Sequence, residues 1–297
     1  MSPTAPVAGT PSGLRHAIGA YLIWGLLPLY LSFVRHVPAL EFVGWRLIFT
    51  LPICLAIVAL RRQGAMVVAA VTNPRTLGLL TVSALLIGGN WLIYVGAIQA
   101  GHVFAASLGY YINPLMNVLA GTLFLGERLN ARQWTAVAVA AAGVSLLAWD
   151  ARDMLGIALA LATTFAAYGL MRRFTPVESL PGLTVETFIL LLPAIGIVTW
   201  QAQVNGGATL GKDALTDGIV ALSGVVTGVP LLLFATAARR MDYSTLGFIQ
   251  FLAPTLVFLL GLFLFHEPLR PVQLACFVLI WAAALFVWDL LARRQTA

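Results

Sequence analysis

Ten runs of mostly apolar residues follow one another along the chain with only short polar breaks: Ala17 to Val34, Leu40 to Leu60, Leu77 to Gln99, Phe104 to Leu125, Trp134 to Trp149, Leu155 to Met171, Leu183 to Trp200, Ile219 to Ala238, Leu246 to Phe265 and Val272 to Leu291. Each is close to the length, about 17 to 25 residues, that a helix needs to cross a hydrocarbon core of about 30 Å. In lipid the backbone must satisfy its own hydrogen bonds, so such runs fold as helices. Of the 297 residues 60% are hydrophobic and 9% charged, against about 25% charged in an ordinary soluble domain. The expectation is an all-α membrane protein of ten transmembrane helices, with no loop long enough to hold a soluble domain. Residues 1–13 carry no positive n-region and are rich in Pro, Ser and Thr. They read as a disordered tail before an uncleaved first span, and residues 293–297 as a short C-terminal tail.

Arg and Lys in short loops set the orientation. With a cytoplasmic N-terminus the inner side holds Arg15, Arg61, Arg62, Arg75, Arg128, Arg132, Arg172, Arg173, Arg239, Arg240, Arg293 and Arg294, and the outer side Arg35, Arg152, Lys212 and Arg270. Both termini are therefore expected in the cytoplasm. The net charge of +6 reflects this asymmetry beside anionic lipid and gives no reason to expect a nucleic-acid partner.

Signals for chemistry are sparse. Cys54 and Cys276 lie inside apolar runs, which predicts buried thiols and no disulfide. His16, His36, His102 and His266 lie near run ends without metal-ligand spacing, so no metal and no cofactor are expected. The stretch "GGATLGKDAL" carries Gly206, Gly211 and Lys212 as in a phosphate loop. Asp213 stands where that loop requires Ser or Thr, and no βαβ pattern surrounds it. It reads as a flexible polar loop.

Internal repetition says more. "ASLGYYINPLMNVLAGTLFLGERLNARQ" (106–133) aligns with "STLGFIQFLAPTLVFLLGLFLFHEPLRPVQ" (244–273) through one two-residue insertion. Gly109 matches Gly247, and then Pro114, Gly121, Glu127, Leu129 and Gln133 match Pro254, Gly261, Glu267, Leu269 and Gln273 at a constant spacing of 140. Trp149-Asp150 answers Trp288-Asp289, and Trp24-Gly25 answers Tyr168-Gly169. The chain reads as a duplicated five-span unit, residues 14–150 and 151–292. An odd number of spans makes the second copy enter the membrane upside down, giving two inverted five-helix repeats. Many secondary transporters have this architecture, with the solute site near the midplane between the copies.

The segments "LIGGNWLIY", "ASLGYYINPLMN", "LGERL", "FAAYGLMRR", "TGVPLLLFATAARR" and "STLGFIQFLAPT" resemble the RarD-type permeases with paired EamA domains, within the bacterial drug/metabolite transporter superfamily. The resemblance runs through nearly the whole chain in order. It implies a multi-pass permease of the bacterial cytoplasmic membrane, an exporter of small metabolites or drug-like solutes, and no enzyme. The family's second span commonly reads His-Arg followed by Trp; here Trp45 precedes Arg46, and the histidine is missing. A non-transporting scaffold and a membrane-embedded enzyme are the alternatives. The partners expected are a small-molecule solute and the lipid bilayer; homo-oligomerisation stays open, because Ala-rich faces such as 136–143 suit packing within or between chains.

Candidates for the solute path are the polar and aromatic residues inside the runs. Tyr110, Asn113 and Asn117 are spaced i, i+3, i+7 on one helical face, and Pro114 frees the Tyr110 carbonyl from its helical bond. Gln250 and Pro254 are their counterparts in the second half. Asn90, Trp91 and Tyr94 follow the flexible Gly88-Gly89, while Tyr168 and Trp24 are repeat mates suited to stacking on a planar solute. Gly224 and Gly228 in "GVVTG" read as helix packing, and Trp134, Trp149, Trp200 and Trp288 as interfacial anchors. Glu41 and Glu186, near the starts of two runs, suit the helix dipole; Glu186 is also a candidate for ion or proton coupling. Arg46 sits in "EFVGWRLIFT" at a cost of roughly 3 kcal/mol on insertion scales. A wet cavity or gate, a bond to backbone carbonyls or Glu41, and snorkelling to the interface are the three ways to offset it.

Overall fold

The computed structural model describes residues 11–100, 102–150, 152–266 and 271–295, and every regular element among them is a helix. In order these are α1 (Pro11–Gly25), α2 (Leu27–Ser32), α3 (Ala39–Leu60), α4 (Gly64–Thr72), α5 (Pro74–Gln99), α6 (Val103–Phe124), α7 (Ala131–Asp150), α8 (Leu155–Phe174), α9 (Ser179–Val204), α10 (Ala214–Arg240), α11 (Tyr243–Gln250), α12 (Leu252–Phe263) and α13 (Pro271–Gln295), with a 3₁₀ turn at Arg152–Met154 before α8. Among the described residues, eight segments are long and apolar enough to cross a membrane: Gly13–Ser32, Ala39–Leu60, Pro74–Ile98, Ala131–Trp149, Arg152–Phe174, Ser179–Val204, Ala214–Arg240 and Tyr243–Phe263. Helix α6, and α13 with its apolar stretch Pro271–Ala283, stand at the two other places where the sequence predicts a span. Glu267, Leu269 and Arg270 lie outside the described residues.

Three boundaries differ from the sequence reading. Helix α1 begins at Pro11, inside the stretch read as a tail, because proline is well suited to the first helical turn. Helix α13 continues through Arg293, Arg294 and Gln295, since a helix can run on past its apolar face and cations favour its C-terminal end. Between the second and third runs the chain forms α4, nine residues long and about 14 Å at 1.5 Å per residue, too short to cross. It is apolar, and Ala70 and Val67 pack with Leu80, Val177 and Val185.

Two spans are broken, and the breaks meet. Leu26 separates α1 from α2 two residues before Pro28, and Phe251 separates α11 from α12 three residues before Pro254. At Gly25 a Cβ would lie 2.7 Å from Leu256 and 3.2 Å from the Ala253 carbonyl, so the glycine is what lets the two breaks touch. Helix α6, by contrast, continues through Pro114.

Small residues set the other crossings. A Cβ at Gly224 would overlap the Phe49 carbonyl, and one at Gly228 would sit 3.2 Å from Thr50, so α10 lies directly on α3. Gly143 brings α7 onto Cys276 and Leu279 of α13, which places the Ala-rich face of α7 inside the chain: Ala136 and Ala140 are buried. Cys54 and Cys276 are both buried and free. Trp134, Trp149 and Trp200 are exposed near helix ends.

The glycine-rich loop before α10 is held by carboxylates. Gly206, Gly207 and Gly211 have positive φ, and the Gly211 N–H donates to Asp217. Thr209 donates to Glu41 through its backbone N–H and its hydroxyl, both at 2.8 Å. Asp213 caps α10, accepting from the Thr216 N–H at 2.9 Å and the Thr216 hydroxyl at 2.8 Å. Those bonds, the backbone one first, hold its carboxyl below the usual carboxylate range. A depressed folded-state pKa means that the stabilisation is present above the unfolded value of about 3.9 and is lost as pH falls through the folded value. The hydrogen-exchange protection factor of the Thr216 amide is expected to hold from neutral pH to about 4 and to drop below it. Asp213→Ala should lower it at every pH.

Candidate functional site

Arg46 is partly buried on α3, one turn above Thr50. Its Nε donates to the Thr227 hydroxyl of α10 at 2.8 Å. Its guanidinium carbon lies 5.3 Å from the centre of the Trp91 ring and 5.9 Å from that of Phe42, within cation–π range. Glu41 is not its partner: that carboxylate is taken up by Trp45 and Thr209. Of the three ways to accommodate the charge, the wall of a cavity is where the structure puts it.

The cavity has a volume of about 90 Å³ and is bounded by α1, α2, α3, α5, α6, α8, α10, α11 and α12. At about 30 Å³ of liquid volume per water, it has room for roughly three waters. Arg46, Asn90, Trp91, Tyr94, Tyr110, Asn113, Gln250 and Pro254 from the sequence reading all reach it, as does Trp24. The aromatic part of the wall is continuous. Tyr94 and Tyr110 meet edge to face at 5.9 Å, and Trp24 packs against Phe165 at 5.6 Å and Tyr21 at 5.8 Å.

The polar part divides into groups that hold the bundle and groups left open. Asn90 donates from Nδ2 to the Leu161 carbonyl at 2.8 Å and the Thr164 hydroxyl at 2.9 Å, tying α5 to α8. The Gln250 carbonyl oxygen accepts from Asn117 and, at 3.4 Å, from Tyr21, tying α11 to α6 and α1. Asn113 is only 4% exposed, yet its Oδ1 has no partner among the described residues. Three prolines sit four residues after wall residues: Pro28 after Trp24, Pro114 after Tyr110 and Pro254 after Gln250. A proline cannot supply the usual i→i−4 donor, so three carbonyls at the cavity lack that bond.

Three candidates lie off the wall. Asn117 is fully buried behind Gln250. Tyr168 is fully buried and stacks on Phe234 at 6.1 Å and against Phe165 at 6.1 Å. Its repeat mate Trp24 reaches the cavity while Tyr168 does not, because Phe165, one turn earlier on α8, takes the wall position. Glu186 is inside the protein on α9, ion-paired with Arg172 at 3.2 Å and bonded by the Ser83 hydroxyl. Arg172 is thereby corrected: it is a fully buried residue of α8 and not a loop cation, because the carboxylate on the neighbouring helix draws it inward.

Thr227, Tyr21 and Phe165 are wall residues that the sequence reading passed over. Thr227 stood inside "GVVTG", where the glycines drew the packing interpretation; a hydroxyl between two small residues was the signal available.

Comparison with known proteins finds relatives over most of the chain. The model of the EamA-like transporter family matches residues 11–149 and 154–288. The protein RarD of Salmonella typhi is 40% identical over 282 residues, covering 94% of this chain and 96% of that protein. An uncharacterized transporter of Vibrio cholerae is 41% identical over 271 residues, 91% of this chain and 90% of that protein. A solved structure described only as a crystal structure of a protein superposes with a TM-score of 0.74 at 21% identity, covering 95% of this chain and 99% of its own, a likeness of fold.

Proposed function

Because the chain belongs to the EamA-like transporter family, we propose that it is a secondary transporter that exports small metabolites or drug-like solutes by alternating access. Its two halves, 14–150 and 151–292, act as inverted five-helix repeats making ten membrane helices, with both termini in the cytoplasm of a bacterial cell. The observation that carries the proposal is a polar and aromatic cavity built by both halves around a cation that pairs with no carboxylate among the described residues.

The packing supports the inverted repeat. Taking α1–α2, α3, α5, α6 and α7 as the counterparts of α8, α9, α10, α11–α12 and α13, three contacts pair a helix with its own counterpart: α3 with α9, α7 with α13 and α6 with α11. The main contacts between different helices exchange in pairs. The α3–α10 contact answers α5–α9, α1–α10 answers α5–α8, and α6–α8 answers α1 with α11 and α12. A two-fold axis produces this pattern, the odd number of spans in each half is what turns one copy over, and transporter sites lie where such halves meet.

The experiment is solute flux in liposomes containing the purified protein, with and without a pH gradient, against the Arg46→Ala variant. Flux in the parent and at least a tenfold loss in the variant, at unchanged expression and monodispersity, is the expected result. Normal flux in Arg46→Ala would remove the cavity from the pathway. A screen that finds no flux of any solute would favour a scaffold.

A further inference from the structure

We propose that the cavity selects monoanionic carboxylates carrying a flat apolar body. This rests on the transporter reading for its purpose but on separate observations for its chemistry. Arg46 spends only Nε on the protein, in its bond to Thr227. The two terminal nitrogens have no hydrogen-bond partner among the described residues, and the side chain lines the cavity. They form the fork that matches a carboxylate with two parallel N–H···O bonds. Among the described residues no Asp or Glu stands on the wall, so the one fixed charge they place there is positive and is matched by one negative charge on the solute.

A second group is prepared beside it. Asn113 is nine-tenths buried, lines the same cavity and makes no hydrogen bond to any described residue. Burial of an amide without a partner is costly, and a polar solute group supplies what the protein withholds. Around these two, Trp24, Trp91 and Phe165 offer flat apolar surface. Trp91 already holds the guanidinium over its ring, which leaves the edge of the fork free for an oxyanion. An organic cation meets like charge here, with no carboxylate on the described wall to offset it. A neutral amide lacks the charge that makes the paired bonds strong.

The test uses the full-length protein and three probes of similar shape: phenylglyoxylate, an acid strong enough to stay ionised at neutral pH; its neutral amide; and benzyltrimethylammonium. Binding in detergent is followed by quenching of tryptophan fluorescence and by thermal shift. Phenylglyoxylate is expected to bind and to raise the melting temperature, the amide and the cation to do neither. Arg46→Gln should weaken its Kd about 10- to 100-fold, the range of a charge-assisted bond, Asn113→Ala about 3- to 10-fold as for a neutral bond, with Arg46→Lys between them and parent. The Arg35→Ala variant, whose guanidinium stacks on Phe265 away from the cavity, should bind as the parent does. Equal binding of all three probes, preference for the cation, no binding at tens of millimolar, or unchanged affinity in Arg46→Gln each overturns the proposal. If the Arg46 variants fail to fold, the order of the three probes on the parent decides alone. Flux separates the two readings: anion binding without uptake into liposomes sinks transport and leaves the anion site standing, whereas uptake of only the amide or the cation sinks the anion site and leaves transport.

Discussion

Arg172→Ala is expected to destabilise the protein by about 3–5 kcal/mol, the cost of stripping one partner from a buried ion pair. The side chains of Arg172 and Glu186 are 0% and 2% exposed, with Nη1 and Oε1 3.2 Å apart. The Ser83 hydroxyl donates to the same oxygen, and Nη2 donates to the Ser179 carbonyl at 3.0 Å. Truncation removes both Arg172 bonds at once and leaves a carboxylate in the interior with one hydroxyl. The site is shaped for the guanidinium: a Cβ on Gly182 would overlap it. Thermal or denaturant unfolding in detergent measures the loss. Arg172→Ala/Glu186→Ala should be more stable than Arg172→Ala, since it removes the orphaned charge along with its partner. If single and double variants melt together, Glu186 has a sufficient partner elsewhere. The arrangement is incompletely satisfied even in the parent, where Arg172 Nε, Glu186 Oε2 and the Tyr168 hydroxyl have no hydrogen-bond partner among the described residues. A network left partly open in this way stakes much on each bond it does make.

Gly224→Val is expected to cost about 3 kcal/mol, the upper part of the usual range for overpacking, and to abolish solute binding as well. The atoms that its Cβ would meet are the carbonyl carbon and oxygen of Phe49, with Ile53 behind them. A side chain can rotate away, whereas backbone in the middle of α3 cannot, so α10 must withdraw from α3. Thr227 lies three residues along the same helix, and its hydroxyl is the only hydrogen-bond partner of the Arg46 side chain among the described residues. Withdrawal therefore breaks the contact that aims the guanidinium. Gly218→Ala on the same helix, where nothing lies within 4 Å, is the control and should stay within about 0.5 kcal/mol of the parent. Melting temperature and phenylglyoxylate Kd of the two variants check both halves of the prediction.

The helices were legible in the sequence because crossing lipid demands a run of fixed length, and their composition is extreme. Helix α4 escaped that logic: nine apolar residues are too few to span, and nothing local says that they pack against α9. The cavity wall was legible where polar side chains stood in apolar runs, since such groups need a partner inside the fold. Asn90, Asn113, Gln250 and Arg46 were found that way. What periodicity could not give was depth. Asn117 shares a face with Tyr110 but bonds to Gln250 behind the wall, and Tyr168 is a sequence mate of Trp24 without being its structural equal. Pairing across helices was also out of reach. Arg172 among loop arginines and Glu186 at a helix start look unrelated until α8 and α9 are laid side by side.

The unpaired guanidinium also bears on how voltage acts. A unit charge moved through the full membrane field is worth about 2.3 kcal/mol per 100 mV, and Arg46 lies well inside a span. In the proposed cycle the vacant carrier presents its cavity to the field with a net positive charge, and a bound monoanion cancels that charge. The resting potential then bears chiefly on the return of the empty carrier, so electrical driving force sets how fast the protein resets.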